Sequence, residues 1–237
     1  MNGGKLKAVL FDLDGTLVDT ADEFVVVVQQ LRDEHGLQPM DPARIRASVS
    51  NGARALVTLG LGIEPQDPVF ESKRLRLLDL YSEVLGSTAR PYPGIPPLLI
   101  ALAERGIAWG VATNKPRAYA EPLLIALGLL APTDAEAQVP TWPGVEYCGS
   151  LVCPDDVNER KPHPESLHRN CQDLLCAPHE AIYVGDHLRD IEAGRRAGMY
   201  TVAAAYGYIE ADDNPADWGA SARVDSSHQL TELILNL

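Results

Sequence analysis

From residue 90 onward, apolar runs of strand length alternate with helical runs, and most of the strand-length runs end on polar residues. Strand-like runs fall at 107–112, 151–153, 181–184 and 200–205. Helical runs fall at about 95–105, 116–128, 164–175, 190–197 and 228–235. An earlier strand-like run, KAVLFDL at 7–13, stands near the N-terminus. Strands that alternate with helices pair in parallel through right-handed crossovers. Residues from about 20 to 89 break this rhythm and read as helices only. One helix runs from about 20 to 35, with Gly36 as its stop. Another starts at Asp41-Pro42, with Asp as N-cap and Pro in the first turn. A break at 48–52 precedes a short helix. A longer one spans about 67–85, where Phe70, Leu77, Leu78, Tyr81 and Leu85 recur at helical spacing. The sequence thus predicts an α/β core at 1–18 plus 90–237, interrupted after its first strand by a small α-helical insertion at 19–89. The Pro-rich stretch 131–149 reads as a surface loop or small flap.

The chain has 237 residues, 46% apolar and 22% charged, as expected of a globular protein. Its net charge of −13 argues against a nucleic-acid or anionic-membrane surface, both of which call for a basic face. The same charge means that an anionic substrate needs a local cation. No run reaches the roughly 18–20 apolar residues of a membrane helix. The N-terminus shows no signal-peptide pattern, so a cytoplasmic location is expected. The four cysteines form no C-x-x-C. Cys171 and Cys176 are expected on one helix, about 140° apart at 3.6 residues per turn. Reduced, structural thiols are therefore expected rather than a zinc site.

Polar residues gather where the predicted strands end, which is where open parallel sheets bind ligands. The first strand ends in Asp12-Leu13-Asp14-Gly15-Thr16. The strand at 107–112 ends in Thr113-Asn114-Lys115. Lys161 follows the strand at 151–153, and Gly185-Asp186 ends the one at 181–184, with Asp190 a helical turn later. Carboxylates converging on one edge repel one another unless a cation is bound, and hard oxygen donors beside a phosphate suit Mg²⁺. Lys161 and Thr113 offer donors to phosphate oxygens. Asp12 and Asp14, two apart, suit one nucleophile and one general acid/base. Each feature alone has an ordinary structural reading: an acidic turn, an N-capping threonine, a surface lysine, an acidic helix start. Their joint order at four strand ends does not.

With these motifs in place, DxDGT at 12–16, Thr113, Lys161 and GDxxxD at 185–190, the chain resembles the haloacid dehalogenase-like (HAD) hydrolases over essentially its whole length. The resemblance implies a Rossmann-like core in which 19–89 form the small helical cap. It implies that Asp12 attacks phosphorus and forms an aspartyl-phosphate. Asp14 would protonate the leaving oxygen and then activate water. Thr113, Asn114 and Lys161 would hold the phosphoryl group. Asp12, the backbone carbonyl of Asp14, Asp186 and Asp190 would bind or anchor Mg²⁺. Asp14 points to a phosphate substrate, because the dehalogenases of the family lack this aspartate. Within the family the chain looks like the phosphoglycolate phosphatase group, and more like the N-acetylmuramic acid 6-phosphate phosphatases of cell-wall recycling. The supporting stretches are NGARALV at 51–57, WGVATNKP at 109–116, VCPDDV at 152–157, and GYI at 207–209 through WGA at 218–220.

Gly52 and Arg54, in the loop at 48–54, and Lys115 are the candidate specificity residues, with Arg54 suited to a substrate carboxylate. Trp109, Trp142 and Trp218 read as packing or loop anchors. The expected partner is a small phosphate monoester, and the chain is expected as a monomer or homodimer. Two other classes compete: a phosphoryl-accepting signalling domain and an inactive binding module that keeps the fold.

Overall fold

The computed structural model describes residues 5–134 and 138–237; positions 135–137 of the expected 131–149 loop lie outside that range. Six parallel strands form one sheet: β1 (Ala8–Phe11), β4 (Ala108–Ala112), β5 (Ser150–Val152), β6 (Ala181–Gly185), β7 (Tyr200–Ala204) and β8 (Ala222–Val224), in the order β5-β4-β1-β6-β7-β8. β1 lies in the interior, with Ala8 paired to Ala108 on one side and to Ala181 on the other. Its alternating side chains divide the core. Val9 and Phe11 pack with α5 (Ile95–Glu104), α6 (Arg117–Ala126) and α9 (Ser227–Leu235). Ala8 and Leu10 pack with α7 (Glu165–Asp173) and α8 (Leu188–Ala197) on the opposite face.

The helices α1 (Ala21–Asp33), α2 (Pro42–Ala47), α3 (Gly52–Leu61) and α4 (Phe70–Val84) surround an apolar cluster of their own. α2 starts as its sequence dictates: Asp41 accepts the N–H of Ala43, and Pro42 fills the first turn. On α4 the buried residues are Phe70, Leu77, Leu80 and Tyr81. Leu78, half-buried, packs against the same cluster and also lines a cleft. The chain leaves and re-enters the sheet region through two short segments paired antiparallel, β2 (Val18–Asp19) and β3 (Arg90–Pro91). The buried carboxylate of Glu23 accepts the N–H groups of Thr88 and Ala89 at 3.2 and 3.0 Å. The start of α1 is thereby tied to the returning chain.

Two features depart from the sequence expectation. β8 and the β2–β3 pair were not expected: Arg223 breaks the apolar run of β8, and two-residue segments carry no readable period. The ordinary capping reading of Thr113, set aside above, does not apply, because Pro116 stands at the N-cap of α6. Cys176 is not on the helix of Cys171, because α7 ends at Asp173 and the Cys176 N–H returns to the Cys171 carbonyl at 3.0 Å. No described helix is long and apolar enough to cross a membrane.

Replacing Glu23 by Ala strips two N–H groups of their acceptor. We expect a loss of about 1–3 kcal/mol, read as a lower urea midpoint at unchanged m-value. An unchanged midpoint would show that this tie carries no stability.

Candidate active site

Four chain segments converge at the carboxyl edge of the sheet, around the interior strand β1. Asp12 continues β1, its N–H donating to the Val184 carbonyl at 2.8 Å; Thr113 continues β4, its N–H donating to Val152 at 3.0 Å. Lys161 arrives from the loop after β5, and Asp186 directly follows β6. The sheet ladder thus sets the positions of the polar residues.

The Lys161 side chain is almost wholly buried. Its ammonium lies 2.8 Å from Asp12 Oδ1, 2.7 Å from Asp190 Oδ1, and 2.8 Å from both the Ala112 carbonyl and the Tyr183 hydroxyl. Burial opposes the charge, yet Asp12 and Asp190 hold Lys161 above its ordinary pKa. Asp12 rises as well, but here burial is the cause: it pushes the carboxyl up to about 6, against the pull of Lys161. Burial and the charges of Asp12 and Asp190 raise Asp186 as well. Carboxylate oxygens of Asp12, Asp186 and Asp190 lie within 4.8 Å of one another. One lysine among three carboxylates leaves a surplus of negative charge, and the donors are all hard oxygens. That set fits a small divalent cation.

Asp186 accepts from the Tyr208 N–H and the Ser50 hydroxyl, both at 2.9 Å. Gly15 sits at φ +80°, and a Cβ there would lie 2.1 Å from Asp186 Oδ2. Only glycine permits this backbone to pass so close. Asp190 accepts from Tyr183 at 3.1 Å and from the His187 N–H at 3.2 Å in addition to Lys161. The Asp14 carboxylate does not join the acidic trio. It accepts from the Thr20 hydroxyl at 2.6 Å and from the Lys115 ammonium at 2.9 Å.

A cleft of ≈ 570 Å³ opens over these groups, with Asp12, Asp14, Thr113, Asn114 and Lys161 on one side. Gly52 and Arg54 line the other side, where Arg54 lies 5.2 Å from the centre of the Phe70 ring. Both lie in the first turn of α3 rather than in the loop expected at 48–54, and the short turn before that helix is gripped from the sheet side. Arg189 donates to the Ser50 carbonyl at 2.7 Å and to Asn51 Oδ1 at 3.1 Å. Cationic side chains of Arg54, Arg74, Lys115, Arg160, Lys161 and Arg189 border a cleft in a chain of net charge −13. Field lines focused there favour an anionic ligand.

A family model of haloacid dehalogenase-like hydrolases matches residues 6–198. The chain belongs to this family. It is similar to the N-acetylmuramic acid 6-phosphate phosphatase of Pseudomonas aeruginosa, 45% identical over 97% of this chain and 95% of that protein. It is 36% identical to the phosphoglycolate phosphatase of Xanthomonas campestris, over 95% of each chain. The crystal structure of a predicted phosphoglycolate phosphatase from Haemophilus somnus superposes with TM-score 0.79 at 23% identity, covering 98% of this chain and 100% of that one, and shares the fold. This HAD chain is an enzyme of the phosphoric monoester hydrolase class.

Asp12, Asp14, Gly52, Arg54, Thr113, Asn114, Lys115 and Lys161 line this HAD cleft, while Asp186 and Asp190 do not line it and cluster with Asp12. Asn114 donates to the Lys161 carbonyl at 3.1 Å, while its own Oδ1 is buried without a partner. Sequence reasoning missed Ser50, Tyr81, Tyr119, Arg160 and Arg189. Arg160 adjoins Lys161, and Ser50 lies in the loop already singled out, so adjacency could have found both. Tyr81 was hidden in the apolar period of its helix. The tryptophans do anchor loops: Trp109, Trp142 and Trp218 donate to Glu146, Leu127 and Asp213.

Gly15→Ala should push Asp186 from its place. We expect at least a hundredfold loss of phosphatase kcat/KM with helix content retained by circular dichroism. Retained activity would mean that Asp186 tolerates displacement.

Proposed function

We propose that this chain is a Mg²⁺-dependent phosphatase that hydrolyses N-acetylmuramic acid 6-phosphate in cytoplasmic cell-wall recycling. The observation that carries the reaction is the pair Asp12 and Asp14 at the end of β1, each beside its own buried lysine. In this reading Asp12 attacks phosphorus and becomes an aspartyl-phosphate, while Asp14 passes its proton to the departing alkoxide. Asp14 next takes a proton from water, whose oxygen attacks the same phosphorus; phosphate leaves and Asp12 is regenerated. Thr113, Asn114 and Lys161 hold the phosphoryl oxygens. Asp12, the Asp14 backbone carbonyl and Asp186 would hold Mg²⁺, with Asp190 anchoring the set. When bound, the ion neutralises phosphoryl charge. Residues 19–89 act as a cap that faces the leaving alcohol and excludes water.

The substrate assignment rests on likeness to the phosphatase of Pseudomonas aeruginosa and on a cleft roomier than a two-carbon acid requires. The relative from Xanthomonas campestris supports 2-phosphoglycolate as the second reading.

Phosphate release from the two esters, compared under saturating Mg²⁺, tests the choice. We expect a kcat/KM at least tenfold higher for the sugar phosphate; the reverse preference would transfer the assignment to phosphoglycolate. Asp12→Asn should abolish turnover while leaving the fold intact, and near-normal rates would remove the nucleophile from Asp12. Added Mg²⁺ should raise the thermal midpoint of the wild type. That rise should vanish in Asp186→Asn, and its persistence there would place the ion elsewhere.

A further inference from the structure

The proposed phosphoryl-transfer groups treat all phosphate esters alike, so selection among alcohols must come from contacts beyond the phosphorus. Lys115 stands where such a contact is made. It follows β4, lies on the cleft wall, and is about nine-tenths buried. Its ammonium donates to Asp14 Oδ1 at 2.9 Å. Two aromatic rings from the helical segment border the same ammonium: Tyr81 of α4, with its ring centre 4.5 Å away, and Phe24 of α1, at 5.1 Å. These rings stack on each other at 4.3 Å. The buried Tyr81 hydroxyl faces the same ammonium and interacts with it. With Asp14 and Tyr81 beside it, the ammonium keeps a third donor unspent, and the open side is the cleft.

We propose that Lys115 is a specificity-determining residue that recognises an oxygen on the carbon next to the ester carbon of the substrate, with Tyr81 positioning its ammonium. The assignment rests on the reading of Asp14 as the acid for the leaving oxygen. A group one hydrogen bond from Asp14 then stands beside the leaving alcohol, within reach of a neighbouring oxygen. The substrate class is a phosphate monoester of a vicinally oxygenated alcohol. A hexose 6-phosphate presents its ring oxygen there, and phosphoglycolate presents a carboxylate. A plain alkyl phosphate presents only carbon and leaves the buried ammonium without an acceptor.

Three two-carbon esters isolate this contact: 2-phosphoglycolate, 2-hydroxyethyl phosphate and ethyl phosphate. Each is assayed with wild type, Lys115→Met and Tyr81→Leu, and folding is checked by circular dichroism. The readout is the kcat/KM ratio of each oxygenated ester to ethyl phosphate, because any general damage to Asp14 cancels in that ratio. We expect Lys115→Met to lower the ratio about tenfold to hundredfold for the carboxylate and about threefold to tenfold for the hydroxyl. Tyr81→Leu should lower the same ratios by less, chiefly through KM. Equal losses on all three esters would overturn the assignment and leave Lys115 as a partner of Asp14 alone; so would unchanged ratios. p-Nitrophenyl phosphate serves as the control. Its hydrolysis by wild type shows a working phosphate-cleaving centre, whereas a wild type idle towards it and all three esters overturns the phosphatase reading, and this assignment with it.

Discussion

The Lys161 ammonium is the interaction on which the rest of this site depends. It joins the end of β1 through Asp12, the end of β4 through the Ala112 carbonyl, β6 through the Tyr183 hydroxyl, and α8 through Asp190. A buried cation is costly unless paired, and buried carboxylates are equally costly. Each makes the other tolerable only when all arrive together, and the parallel sheet delivers them to one edge. The balance is incomplete: with three carboxylates and one lysine, Asp12 is pushed up to about 6 by burial. The edge therefore has a standing demand for further positive charge, which the proposed Mg²⁺ would meet.

Asp14 answers to a different set of neighbours. Its carboxylate turns toward Thr20, at the start of the helical segment, and toward Lys115, whose ammonium two aromatic rings of that segment enclose. Tyr208 spans the same boundary: its N–H donates to Asp186, while its hydroxyl donates to Asp19 and accepts from the Thr20 N–H. The two aspartates of one short motif are thus governed by separate surroundings. Asp12 belongs electrostatically to the sheet edge, and Asp14 to the junction with the helices. Two carboxylates assigned different tasks gain from such a division, because environment rather than residue type sets their behaviour.

The legible parts of the molecule were those that carry local pattern. Five strands, read from apolar runs of three to seven residues, the helical interruption and the polar residues at strand ends all follow from period and punctuation. β8 is broken by Arg223 at its centre, whereas the equally short β5 reads as an apolar run, and β2 and β3 have two residues each, too few for any period to register. Cys176 was misplaced because the end of α7, where Leu175 takes φ +54°, has no glycine to announce it. Tyr81 shows the deeper limit. Its spacing fits the apolar stripe of α4, and its ring does lie in that core, yet its hydroxyl end meets Lys115, 34 positions away, on the cleft wall. Periodicity reports which face a residue occupies, not what its far end touches. Ser50 and Arg189 eluded the sequence for the same reason, because their contacts join segments some 140 residues apart.

The placement of the missed residues follows from what catalysis requires. Groups that grip the phosphoryl oxygens act on every monoester equally and confer no choice among alcohols. They also form the contiguous strand-end motifs, so sequence reveals them first. Choice requires contact with the departing alcohol, on the far side of Asp14 from the sheet. There the wall is built from the turn at 49–51 and the start of α3, from α4, and from single side chains such as Lys115 and Arg160. Such a wall is assembled by packing between helices and sheet, with no fixed spacing along the chain. Reaction class is therefore the property most readable from these residues in order, and substrate is the one that depends on their meeting in space.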